Sequence, residues 1–302
     1  MTRTIVVGLD GSPESRGAAE WAAREAKLRG LPVKVLHVWE PVPEPMAQAP
    51  LLGPEAQQHW SDEIARDSAE GLRLRHPGVE VTAEHCAGRP SEVLCEAAKG
   101  AELLVLGSRG LSGIGGFLVG SVGLAVVAHA ECPVVLVRAG EQAADEHETD
   151  PAGIPSAATR YRPVVLGIDI DNLDASVIEF AFDEAARRDT GLRVVSGWHL
   201  PPYFETNGPT VDLERYEELV RSKAVALTEA LLVWREKCPS VDVGEESRPG
   251  SPADQLIDVS HRSSLVVVGR RIRRHPFGMH IGPVTHAVLH HATAPVAVVA
   301  HD

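Results

Sequence analysis

The chain spells the same pattern twice. Val6-Val7-Gly8-Leu9-Asp10 returns as Val165-Leu166-Gly167-Ile168-Asp169, and Trp39 as Trp198, both at an offset of 159 residues. Leu103-Leu104-Val105-Leu106-Gly107 returns as Leu265-Val266-Val267-Val268-Gly269, and Cys132-Pro133-Val134-Val135-Leu136-Val137 as Ala294-Pro295-Val296-Ala297-Val298-Val299, both at an offset of 162. One net insertion of three residues between Trp198 and Gly269 reconciles the two offsets. A period this long excludes a solenoid of short units and means a duplicated domain. In a chain of 302 residues each copy is long enough for its own core.

The expected division is a first domain at 1–139, a linker at 140–160 and a second domain at 161–302. The joint is rich in Ala, Glu, Asp, Pro and Gly and lacks apolar periodicity, which reads as a solvated linker. Its acidic patch, Asp145-Glu146-His147-Glu148, reads as a solubilising stretch.

Within the first copy, apolar runs alternate with helical patterns. Residues 4–9 are β-branched and apolar, as in a strand buried on both faces. A helix is expected over 13–29, with Ala18, Ala22 and Ala26 on one side and charges opposite. Strands are then expected at 32–39, 79–86, 102–107 and 133–138, with helices at 55–75, 91–99 and 121–129 between them. This βαβαβαβαβ order predicts an α/β fold with an open, mostly parallel sheet covered by helices, and the second copy repeats it.

Charge removes several functional classes. There are 29 Lys and Arg against 42 Asp and Glu, a net charge of −13, which argues against a general binder of nucleic acid or of anionic membranes. Apolar runs such as 134–137 are far too short to span a bilayer. No signal peptide is visible, which predicts a cytoplasmic protein. Cys86, Cys95, Cys132 and Cys238 form no CxxC pair and no zinc spacing, and are expected as reduced thiols, mostly in the core.

The stretch Gly107-Ser108-Arg109-Gly110 through Gly120-Ser121-Val122 follows a buried strand and ends at a helix start. Glycines there let backbone N–H groups approach an anion, and the helix start adds unpaired donors and the positive end of its dipole. No Gly-Lys-Ser/Thr follows, so this is not a Walker A loop. It follows the fourth strand and not the first, so it is not the dinucleotide fingerprint either.

Gly107-x2-Gly110-x9-Gly120-Ser121 resembles the G-x2-G-x9-G-S/T motif of ATP-binding universal stress proteins. The opening Val7-Gly8-Leu9-Asp10-Gly11-Ser12, the Leu36-His37-Val38 segment and Cys132-Pro133-Val134 are also similar to that family, over the whole chain as two tandem copies. The resemblance implies five strands per copy in the order 3-2-1-4-5. Strands one and four are then neighbours at the switch point, and a crevice opens at their carboxyl ends, where Asp10 and Gly107 lie.

Further roles follow from the resemblance alone. Gly8 and Asp10 sit at the nucleotide, and Val38 meets adenine through its backbone. Gly107, Arg109 and Gly110 border the ribose and phosphates, while Gly120, Ser121 and Val122 hold the phosphates. ATP is the implied ligand, with Mg²⁺ carried by its phosphates. The implied role is regulation in a stress response, and a homodimer is admitted. The last strands would be sheet edges that pair antiparallel, half to half. Read as residues alone, Asp10 is a helix cap or turn residue. A slow ATPase and a nucleotide-independent scaffold stay open beside the binding protein, and no residue is assigned as catalytic.

The second copy departs from the motif. Gly269 and Gly282 remain, but Ile272 replaces the second glycine and Pro283 the serine, which removes a hydroxyl and an N–H donor. Asp171 adds a carboxylate after Asp169, and Gly197 stands for Val38. These changes predict weak phosphate binding there, unless Arg270, Arg271, Arg273 and Arg274 supply another anion grip; a solvated loop is the alternative for them. His286 and His290, four apart on a helix, have no evident third metal ligand.

Overall fold

The computed structural model describes residues 3–40, 54–108, 119–201, 213–272 and 281–302, with the backbone alone for 54–59. Two compact units divide between Ala143 and Ala144. The first contains β1 (Ile5–Leu9), α1 (Pro13–Arg29), β2 (Val33–Trp39), α2 (Pro54–Arg75), β3 (Val81–Ala87), α3 (Pro90–Ala98), β4 (Leu103–Ser108), α4 (Ser121–His129) and β5 (Val134–Arg138). The second contains β6 (Val164–Gly167), α5 (Ala175–Arg187), β7 (Leu192–Trp198), α6 (Leu213–Lys237), β8 (Val243–Pro249), α7 (Pro252–Ser260), β9 (Leu265–Arg271), α8 (Pro283–His291) and β10 (Val296–His301).

Every strand pair within a unit is parallel. The first unit runs β3-β2-β1-β4-β5 and the second β8-β7-β6-β9-β10, the expected 3-2-1-4-5 order in each. Ile5 faces both Val33 and Leu103 in register, so β1 is central. All five residues of β1 and of β5 are buried, which is why Ile5–Leu9 and the Val134-Val135-Leu136-Val137 part of β5 show no alternation of apolar and polar residues. In the first unit α1 packs with α2, and α3 with α4, covering both faces of the sheet.

Local chemistry sets the helix ends. Ser12 caps α1 by accepting from Ser15 N, Pro13 occupies the first turn, and Gly30 closes the helix at φ 64°, a conformation glycine enters without strain. The repeat places Asn172 opposite Pro13, yet α5 starts only at Ala175, three residues later, with Asp174 as its cap. One turn of helix at the carboxyl edge of the sheet is therefore missing from the second unit.

The joint is more ordered than a solvated linker. A 3-10 turn spans Ala143–Glu146, and His147 and Thr149 form antiparallel bridges with Tyr161 and Pro155. Glu146 and His147 are buried, and the His147 ring lies 4.0 Å from that of Tyr161. The fold of this segment rests on turns such as Asp150 Oδ1 accepting from Ala152 N and Ile154 N, both at 2.9 Å. Such side-chain-to-backbone bonds leave no apolar period to read. The four cysteines are free thiols, but they are half-buried and not in the core as expected. Burial pushes the Cys132 thiol up to about 12.

Candidate functional site

A cleft of about 280 Å³ opens at the carboxyl ends of β1 and β4 in the first unit. Of the residues singled out in the sequence, Gly8, Asp10, Val38, Gly107, Gly120, Ser121 and Val122 line it. Arg109 and Gly110 lie outside the described residues. The switch point thus brings together segments almost a hundred residues apart.

At the first βα turn, Asp10 Oδ1 accepts from Ser12 N at 3.0 Å and from Ser12 Oγ at 2.5 Å. Asp10 is therefore a turn residue and Ser12 the helix cap, with the exposed Asp10 carboxylate at the mouth of the cleft. Also on the wall is the start of α4, whose N-cap Gly120 has φ −64° and ψ 159° and provides no side-chain cap. The first N–H groups of α4, at Ser121, Val122 and Gly123, belong to residues of the cleft wall. Uncapped donors at a helix start make an anion site. Asp10 and Glu14 are the carboxylates of the wall, and no Lys, Arg or His is among its described residues.

Gly107 has a structural duty as well. A Cβ there would stand 2.5 Å from the carbonyl carbon of Glu14 and 2.7 Å from Ser15 N, so its bareness lets α1 seat against β4. A Cβ on Gly8 would have side chains nearest to it, Leu106 Cδ2 at 2.6 Å and Leu94 Cδ2 at 3.1 Å. Sequence reasoning missed the apolar wall of Leu36, Pro90, Leu94 and Leu106. One signal for it was present: Pro90 recurs as Pro252 at offset 162 and opens a helix in both copies.

Behind Asp10, His37 is buried and its Nδ1 lies 2.6 Å from Ser61 Oγ. Burial lowers its pKa; Asp10 opposes that shift and His85 adds to it. His85 is itself paired with Asp62, Nδ1 to Oδ1 at 2.7 Å.

The second unit has a cavity at the equivalent edge, and it is larger, about 630 Å³. Asp169 repeats the turn, with Oδ1 accepting from Asp171 N at 3.0 Å and Oδ2 from Asn172 Nδ2 at 2.9 Å. Pro283 occupies the first turn of α8 in place of a donor. Two of the substitutions at this edge act through the chain itself. Ile272 does not line the cavity, so its bulk does not crowd it; its N–H bonds to His301 O at 2.6 Å. The Asp171 carboxylate is not simply repulsive, because Lys223 Nζ holds both its oxygens at 3.0 Å. Within the arginine cluster, Arg270 is buried, Arg271 lines the cavity, and Arg273 and Arg274 lie outside the described residues.

Among the described residues no three His, Cys, Asp or Glu side chains gather as a metal site, and no helix is long and apolar enough to cross a membrane. The His286 and His290 rings stand 4.5 Å apart.

Doubly wound units with a cleft at the switch point define a class, and comparison with known proteins gives its family. The family model described as "Universal stress protein family" matches residues 1–138 and again 160–300. A universal stress protein of Mycolicibacterium smegmatis is 32% identical over 98% of this chain and 96% of its own length. One of Mycobacterium tuberculosis is 32% identical over 97% and 96%. The crystal structure of a universal stress protein from Archaeoglobus fulgidus shares the fold at TM-score 0.70 and 16% identity, each chain covered in full. The chain belongs to the universal stress protein family, in two tandem copies.

Proposed function

We propose that the first unit binds ATP and that the protein acts as a nucleotide-binding regulator in a stress response. The observation that carries this is the pairing, across one cleft, of the Asp10 turn with the uncapped start of α4 at Gly120 and Ser121. The apolar wall of Leu36, Val38, Leu94 and Leu106 suits a base, and the N–H groups of Ser121, Val122 and Gly123 suit phosphate oxygens.

The charge of the wall supports Mg²⁺ as a companion of the nucleotide. Asp10 and Glu14 repel a polyphosphate, and no basic side chain is among the described wall residues. A divalent cation on the phosphates offsets that repulsion and usually keeps several waters. Binding is favoured over hydrolysis because Asp10 Oδ1 holds the turn through Ser12 N and Oγ, and the described wall offers no Lys or Arg to stabilise charge on a transferring phosphoryl group.

Gly120→Glu tests the reading. Gly120 has backbone angles open to any residue, so the replacement strains no dihedral, while the new carboxylate would stand at the proposed phosphate position. Calorimetry should show ATP binding abolished; unchanged affinity in the folded variant refutes the site. Equilibrium dialysis of the unaltered protein should find about one ATP per chain. Each lost charge-assisted bond to phosphate costs about 1.5–3 kcal/mol, one to two powers of ten in affinity, and Pro283 removes such donors. Two equally tight sites would refute the asymmetry.

A further inference from the structure

The second cavity is not a worn copy of the first. At about 630 Å³ against 280 Å³ it is the more spacious, well within the range of sites for small organic molecules. The missing turn of helix before Ala175 contributes to this room. Glu14 backbone stands against Gly107 in the first unit, whereas a Cβ on Gly269 would have side chains nearest to it, His301 Nε2 at 2.9 Å and Val177 Cγ2 at 3.3 Å. Its walls are largely apolar and include Ile168, Val195, Trp198, Leu219, Leu256 and Val268.

The polar end differs from the first cleft in kind. The described wall of the first cleft has no Lys or Arg; the second has Lys223 and Arg271. Its three carboxylates are occupied by the chain itself. Asp169 takes Asp171 N and Asn172 Nδ2, Asp171 takes Lys223 Nζ on both oxygens, and Asp174 takes Ser176 N and Oγ at 2.8 and 2.5 Å. Spare capacity lies with the donors. A guanidinium carries five N–H groups, and the described bond of Arg271 to a neighbouring side chain is a single long one to Asn172 Oδ1 at 3.3 Å.

The geometry points to a second ligand site of separate chemistry, for an amphipathic organic monoanion: an apolar or aromatic body with one carboxylate or sulfonate. The body lies along the apolar wall, and the anionic group takes a bidentate grip from Arg271. Asp171 is the ligand's internal rival, a carboxylate already seated on Lys223 that the incoming anion displaces. A polyphosphate is disfavoured by three carboxylates and by Pro283, which has no N–H to offer at the start of α8. One negative charge is what two cations can take up while Asp169 and Asp174 remain in place.

The test uses 8-anilinonaphthalene-1-sulfonate, which has an aromatic body and one sulfonate, titrated by fluorescence into the full chain with saturating Mg²⁺-ATP present. One tight equivalent per chain is expected. Arg271 is exposed at the end of β9, so Arg271→Gln leaves the fold intact and should weaken that equivalent about ten-fold or more. Asp171→Asn removes the rival and should tighten it about two- to five-fold. Affinity unchanged by Arg271→Gln overturns the proposal, as does displacement of the dye by ATP. Failure of ATP to bind the first unit leaves the Arg271 result unaffected, so the two readings fail separately.

Discussion

Replacing Gly107 by Ala adds one methyl group where the structure has no space for it. The new carbon would sit 2.5 Å from Glu14 C, 2.7 Å from Glu14 O and 2.7 Å from Ser15 N. All three are backbone atoms in the first turn of α1, so relief requires the helix start to move away from β4. Overpacking of this sort costs about 1–3 kcal/mol, or roughly 2–12 °C in melting temperature at about 2–4 °C per kcal/mol for a domain of this size. Gly269→Ala supplies the matched control. Its methyl group would meet the imidazole of His301 at 2.9 Å and Val177 Cγ2 at 3.3 Å, side-chain atoms that can rotate. A cost under about 1 kcal/mol is expected there. Calorimetric melting of both variants decides the matter. The same shift of α1 carries Ser12 and Ser15 out of the cleft wall, so Gly107→Ala should also weaken ATP binding. Equal melting temperatures for Gly107→Ala and the unaltered protein, or a larger loss from Gly269→Ala, would refute the reasoning.

Chelation of divalent metal should weaken ATP binding sharply, while titration of the nucleotide-free protein with Mg²⁺ should show no tight site; calorimetry with and without chelator reads both. His37 makes stability depend on pH. Its folded pKa lies below the ordinary value near 6.5 because burial disfavours the imidazolium, so the unfolded chain binds the extra proton more readily. Stability should therefore fall as pH drops from about 6.5 toward the folded pKa, and His37→Gln should flatten that part of a urea-denaturation series; an unchanged slope counts against the assignment. His286, also lowered by burial and then by His290, contributes in the same direction and remains in the variant.

The fold was legible because its signals are local and occur twice. Ser12-Pro13 and Gly30 bracket α1 at both ends, and the buried strands stand out as runs of Val, Leu and Ile. The pairing of Asp10 with Gly120 and Ser121 was legible only through strand order, which joins distant segments at the switch point. What stayed hidden depends on particular side chains meeting across the fold. Nothing in the sequence around Lys223 says that α6 lends it to Asp171. The late start of α5 was hidden because Asp171 and Asp174 are both good caps, and the choice between them rests on packing. Gly107 was read for its ligand when its tightest neighbour is the backbone of Glu14.

The withdrawn turn of α5 also bears on how a duplicated chain diversifies. The parallel register of β6 with β7 and β9 is held by buried strands, and a helix that begins three residues later leaves that register untouched. Drift at the carboxyl edge is thus mechanically insulated from the frame, so one copy can retain its ancestral ligand while its twin explores others. With the two proposed ligands, such a chain would read two chemical signals at once, and the difference between its halves would be written in helix starts more than in strands.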